Sequence, residues 1–85
     1  MQVQKNKLQY VLGKIIKKYR GDKSINQLSN EIELSKSIWS DLEKGKKDIQ
    51  FTTFWRIAEA LNIAPHKLLK DIENELDEEF SFIED

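Results

Sequence analysis

The sequence predicts an all-α bundle of five short helices followed by an acidic C-terminal extension, and three observations predict it. Apolar residues recur at three- and four-residue spacing along most of the chain. Capping residues and breakers fall between those periodic stretches, while only three glycines and one proline occur in 85 residues. Lys, Glu, Leu and Ile are abundant, a composition that favours helix.

The elements follow in order. Leu8, Leu12, Ile15, Ile16 and Tyr19 share one helical face, with Lys7, Lys14, Lys17 and Lys18 largely off it and Gly21 as the stop. Ser24 caps a second helix of about two turns bearing Leu28, Ser29 and Ile32, which ends at Glu33-Leu34. Ser35 caps a third, with Ile38, Trp39 and Leu42 inward and Gly45 just past its end. Lys46-Lys47-Asp48 is a polar loop. The fourth helix turns Phe51, Phe54, Trp55, Ile57, Ala58 and Leu61 inward, with Phe51 and Trp55 read as core or dimer-surface residues, and terminates at Asn62. Ala64-Pro65 opens the fifth, proline suiting a first turn, with Leu68, Leu69 and Ile72 apolar and Leu76 placed to extend it.

Composition excludes several functions. A chain this short holds one domain, since domains commonly run to about 100–150 residues. The absence of cysteine removes disulfide scaffolds, thiolate zinc sites and cysteine nucleophiles, and the single histidine, His66, removes paired-histidine metal sites. No Ser/His/Asp set, HExxH or Gly-rich phosphate loop occurs, so neither catalysis nor a cofactor is expected. No apolar run approaches the ~18 residues of a membrane span, and the N-terminal stretch lacks a signal peptide's apolar region, so the expected location is cytoplasmic.

The net charge of −1 hides a segregation. Residues 1–70 hold all 14 bases against seven acids, a net +7. Asp71, Glu73, Glu75, Asp77, Glu78, Glu79, Glu84 and Asp85 put eight acids and no base in residues 71–85. A basic body suits a polyanion, and an acidic segment can compete with it. The reading therefore divides the chain into residues 1–70 and an extension, 71–85.

Two short helices joined by a three- or four-residue turn are the arithmetic of a helix-turn-helix. In that arrangement the second helix of the pair enters the major groove. The stretches Ser24-Ile25-Asn26-Gln27-Leu28-Ser29 and Ser35-Lys36-Ser37-Ile38-Trp39-Ser40-Asp41-Leu42-Glu43-Lys44-Gly45 resemble the phage-repressor and Cro-type family, also called the xenobiotic-response-element family. So do Phe54-Trp55-Arg56-Ile57-Ala58-Glu59-Ala60-Leu61-Asn62-Ile63 and Lys67-Leu68-Leu69, and the likeness runs over about residues 8–70 without a gap. It implies a lambda-repressor-like five-helix domain that binds double-stranded DNA as a homodimer and regulates transcription, most commonly as a repressor.

The resemblance also distributes roles. Lys36, Ser37, Ser40 and Asp41 take the groove-facing positions: lysine donates to guanine, serine serves either base type, and aspartate accepts from cytosine N4. Ser24, Asn26, Ser35, Lys44, Lys46 and Lys47 are the phosphate-contact candidates. Lys18 matches a family arginine that pairs with the acid at Glu43, which implies a structural ion pair. Three departures stand out: Ile25 replaces a phosphate-binding glutamine, Glu33 replaces a turn glycine, and Ile49 replaces a loop proline.

The extension has three readings. Ile72, Leu76 and either Phe80 or Ile83 fit a longer helix that pairs with its copy, the reading its apolar residues favour. Phe80-Ser81-Phe82-Ile83 alternates briefly like a strand, and the charge fits disorder. Two rival functions follow: an antitoxin of the same fold whose extension holds a toxin, and a protein-interaction module that has lost DNA binding.

Overall fold

The computed structural model describes residues 2–83 as five helices, α1 (Gln2–Arg20), α2 (Ile25–Ile32), α3 (Lys36–Glu43), α4 (Phe51–Ala60) and α5 (Pro65–Glu75), with no strand among them. Their ends follow local chemistry. Ser24 accepts from the Gln27 amide at 3.1 Å while the Gln27 side chain accepts from the Ser24 amide at 3.0 Å, a reciprocal capping box. Ser35 caps α3 by accepting from the Ile38 amide. Gly21 and Gly45 take positive φ after α1 and α3, Asn62 does so after α4, and Pro65 opens α5.

The helices close on one core whose fully buried members are Ile16, Leu28, Trp39, Leu42, Ile57 and Leu68. α1 packs against α3 and α5, α2 against α3 and α4, and α4 against α5. Helices α2 to α5 are too short to be stable alone, so this burial supplies most of the stability. The Trp39 indole is wholly enclosed, and its Nε1 finds no hydrogen-bond partner among the described residues.

The α1–α3 contact is the tightest. A Cβ placed on Gly13 would lie 2.1 Å from the Leu42 carbonyl oxygen, and one on Gly45 would lie 2.9 Å from the Tyr10 Cα. Only a residue without a side chain lets these two backbones meet. Val11, absent from the predicted core, is buried as well.

α5 runs antiparallel along α1. The Tyr19 hydroxyl donates to Asp71, Lys14 bonds Glu75 at 3.0 Å, and Lys7 bonds Asp77 at 2.8 Å. The bond to Asp71 holds the Tyr19 hydroxyl above its ordinary pKa, and the Lys7 bond holds the Asp77 carboxyl below its own. Exposed pairs of this kind contribute little each, because water and salt screen them. Ile72, 3% exposed, joins the common core, so α5 carries the start of the acidic segment into the body of the domain.

Three expectations are corrected. Phe51 (72% exposed) and Trp55 (48%) do not turn inward on α4. The inward stripe there is Phe54, Ile57, Ala58 and Leu61; Trp55 stands one residue, about 100°, off it, and Phe51 lies at the open first turn. Leu69 is likewise one step off the Leu68–Ile72 line and is 56% exposed. The extension is helical as far as Glu75, but beyond it neither lengthens α5 nor forms a strand: Leu76 turns to extended backbone, Phe80 bonds back to Asp77, and the Phe80 and Phe82 rings meet edge-on at 5.6 Å. Glu84 and Asp85 lie outside the described residues.

Gly13→Ala tests the close crossing. Alanine gains about 1 kcal/mol of helix propensity, but overpacking costs ~1–3 kcal/mol, and more where backbone must move. The clashing atom is a main-chain oxygen, so the second effect wins. A net loss of roughly 1–2 kcal/mol should lower the melting temperature by about 4–8 °C per kcal/mol. A variant melting at or above the parent would place α1 and α3 further apart.

Candidate nucleic-acid interface

Helix α3 is presented by what surrounds it. Glu33, in left-handed backbone at φ 55, turns the chain out of α2, Leu34 packs against the core, and Ser35 starts α3. With Trp39 and Leu42 buried and Ile38 half-buried, helical geometry leaves the opposite side outward. Lys36, Ser40 and Lys44 follow one another at four-residue steps on that side, flanked by Ser37 and Asp41. Lys36, Ser37 and Lys44 are exposed, and Ser40 and Asp41 are half-buried. The expected base-reading residues thus share one surface.

The phosphate candidates divide into two groups. Lys46 and Lys47 are exposed and follow Gly45, where the Lys46 amide bonds the Asp41 carbonyl at 2.9 Å. Ser24 and Ser35 spend an oxygen lone pair on capping yet keep a hydroxyl proton able to donate. The Ser35 and Ser37 hydroxyls also lie 3.2 Å apart. Asn26 is exposed in the first turn of α2.

The pairing of the basic residues separates them. Lys5, Lys7, Lys14, Arg20 and Lys23 each meet an acid, namely Asp48, Asp77, Glu75, Glu43 and Glu31. Lys36, Lys44, Lys46 and Lys47 have no acid partner among the described residues. Four uncompensated cations therefore stand on or directly after α3. Lys17, Lys18, Arg56, Lys67 and Lys70 also lack an acid partner among the described residues but belong to other elements.

The expected Lys18–Glu43 pair is corrected. Glu43 is held by Arg20, whose Nε donates at 2.5 Å and whose second terminal nitrogen donates at 2.9 Å, while its other terminal nitrogen bonds the Lys23 carbonyl at 2.9 Å. The Glu43 bonds raise the Arg20 guanidinium above its ordinary pKa. Lys18 sits two residues before Arg20, about 200° around the helix, and lies instead 5.8 Å from the Tyr19 ring centroid. Arginine's planar fork suits this half-buried bidentate contact, which ties α1, the α1–α2 loop and the end of α3 together.

Sequence reasoning missed Arg20 and Gly13. A glycine inside an amphipathic helix signals a packing requirement, and an arginine near a helix end is the better match to a carboxylate that must be gripped from two sides. Among the described residues no helix is long and apolar enough to cross a membrane, and no group of three acids or histidines is placed to hold a metal ion.

A short capped helix, a left-handed turn and a second helix seated on α1 with a polar outer face define a helix-turn-helix DNA-binding domain. The HTH_3 helix-turn-helix family, of the Cro and xenobiotic-response-element type, matches residues 16–68, and the chain belongs to it. That family comprises non-enzymatic DNA-binding regulators of transcription. Two crystal structures of the clp gene regulator ClgR from Corynebacterium glutamicum share the fold. One superposes with a TM-score of 0.75 at 22% identity, covering 85% of this chain and 96% of its own. The other gives 0.74 at 23% identity, covering 80% and 74%. No curated relative matches by sequence.

Two substitutions test this scaffold. Arg20→Lys should cost roughly 1–2 kcal/mol, the scale of a lost charged hydrogen bond, while Lys18→Ala should stay within about 0.5 kcal/mol. Equal small effects in chemical denaturation would return Glu43 to Lys18. Glu33→Gly should stabilise by ~0.5–1 kcal/mol, because relief of the left-handed cost outweighs glycine's added chain entropy. A loss of stability would mean the Glu33 side chain contributes more than its backbone costs.

Proposed function

We propose that the chain is a sequence-specific repressor that binds its operator as a homodimer, with α3 of each copy in the major groove. The observation that carries this reading is the row of unpaired cations and small polar groups on and after α3. Cations already neutralised by carboxylates gain little from phosphate, whereas unpaired ones displace the counterions of DNA. Lys36 and Ser37, at the N-terminal end of α3, are assigned to base edges, with Ser40 and Asp41 one turn further along. Lys44, Lys46 and Lys47, with the hydroxyls of Ser24 and Ser35 and the Asn26 amide, are assigned to the flanking phosphates. Ile25 contributes no side-chain hydrogen bond there, so the main-chain amides of α2 take that part.

Selection of bound sequences from random DNA tests the reading and yields the operator; recovery of no preferred sequence would sink it. On that operator, Lys36→Ala should cost ~1–3 kcal/mol and relax preference at one base pair per half-site. Equal losses on operator and scrambled DNA would make Lys36 a phosphate contact only. Lys46→Ala and Lys47→Ala should weaken all sequences alike and reduce the slope of log K against log salt by about 0.9 per lost contact. An unchanged slope would remove these lysines from the interface.

A further inference from the structure

The acids of α5 and of the segment after it meet the basic surface at one particular edge. At about 100° per residue, the outer side of α1 presents in turn Gly13, Lys17, Tyr10, Lys14 and Lys7. Gly13 abuts the Leu42 and Glu43 carbonyls at the end of α3, and Tyr10 backs onto Gly45, the residue between Lys44 and Lys46. The strip therefore continues the cationic surface of α3, and Lys17, Tyr10, Lys14 and Lys7 are all exposed. Left alone, its lysines would carry that surface round α1 and offer phosphate a second place to bind.

They are not left alone. Lys17, nearest to α3, meets no acid among the described residues. Further round, Lys14 donates to Glu75 at 3.0 Å and Lys7 to Asp77 at 2.8 Å. Compensation thus begins where the strip turns away from α3. Exposed pairs hold a fold together only weakly, so the consequence of these two lies in what else the lysines can bind. A phosphate that approaches Lys14 or Lys7 must displace a carboxylate anchored beside it, and then stands against that like charge. Other acids of the segment are placed differently: Glu73 and Glu78 are exposed and meet no base among the described residues.

We propose that Glu75 and Asp77 are specificity-determining residues: by occupying Lys14 and Lys7 they confine DNA to the α3 face and suppress sequence-independent binding along α1. The proposal rests on the DNA-binding reading and gives the acidic segment a part in it. An α1 strip with free lysines would hold any duplex equally, since phosphate contacts carry no sequence information. Every such contact removed leaves a larger share of the affinity to the base-reading face of α3.

The test is titration of the full chain with a random-sequence duplex and with the selected operator, over roughly 50–200 mM salt. Glu75→Gln combined with Asp77→Asn should bind the random duplex more tightly, with a slope of log K against log salt steeper by about 0.9 per released lysine. That slope makes the gain grow about threefold per lysine from the top of the salt range to the bottom. Operator affinity should change less, so the ratio of operator to random binding falls. Glu73→Gln combined with Glu78→Gln removes the same charge without releasing a lysine and should keep the parent's slope. Adding Lys7→Ala and Lys14→Ala to the first variant should abolish its gain. All six positions are exposed, so circular dichroism should show every variant folded. An equal gain from the Glu73 and Glu78 variant, a gain that survives loss of both lysines, or one equal on operator and random duplex overturns the proposal. A parent that binds no DNA sinks the functional reading itself, whereas one that binds, with a slope that releasing the lysines does not change, sinks only this proposal.

Discussion

The rest of the molecule depends on the direct approach of the α1 backbone to the end of α3. Gly13 places α1 against the Leu42 carbonyl, and Gly45 lets the outgoing chain pass the Tyr10 backbone. Arg20 grips Glu43 from two sides, and Trp39 fills the space beneath. Two helices this close cannot slide past one another without backbone collision, which gives α3 a fixed orientation that its eight residues could not maintain alone. α2 then crosses α3 as its partner, and α4 and α5 close the opposite side of the core.

The charge pattern follows from the same arrangement. Because α5 runs antiparallel along α1, its acids meet α1's lysines in order, Glu75 with Lys14 and Asp77 with Lys7, beside the Asp71–Tyr19 bond. The acidic segment is thus engaged along α1, and the lysines on and after α3 keep their charge uncompensated. A net charge near zero and a strongly basic local surface coexist because the compensation is spatially assigned.

Five helices, their caps and the left-handed turns at Glu33 and Asn62 were legible because each depends on residues close in sequence. The outer face of α3 was legible for the same reason: Trp39 and Leu42 define what lies opposite them. What was not legible depends on neighbours that periodicity does not see. Phe51, Trp55 and Leu69 look like core residues by type, and only the positions of α1 and α5 leave them uncovered. Arg20 displaced Lys18 as the partner of Glu43 because helical phase, not proximity in sequence, decides which side chain faces α3. The extension resisted reading because its apolar residues are too few to impose a period, and it instead turns back beside α1 through contacts such as Lys7–Asp77.

The two tryptophans occupy opposite environments, and this makes the chain its own optical instrument. Trp39 is sealed in the core with an N–H that bonds nothing among the described residues, so its emission belongs to a dry, rigid indole and changes when the fold opens. Trp55 stands half in solvent against Phe51, where a soluble quencher reaches it and anything that covers that face shields it. Replacing either indole with phenylalanine leaves a single reporter, so unfolding and surface occupation are readable as separate signals from the same 85 residues without an attached dye.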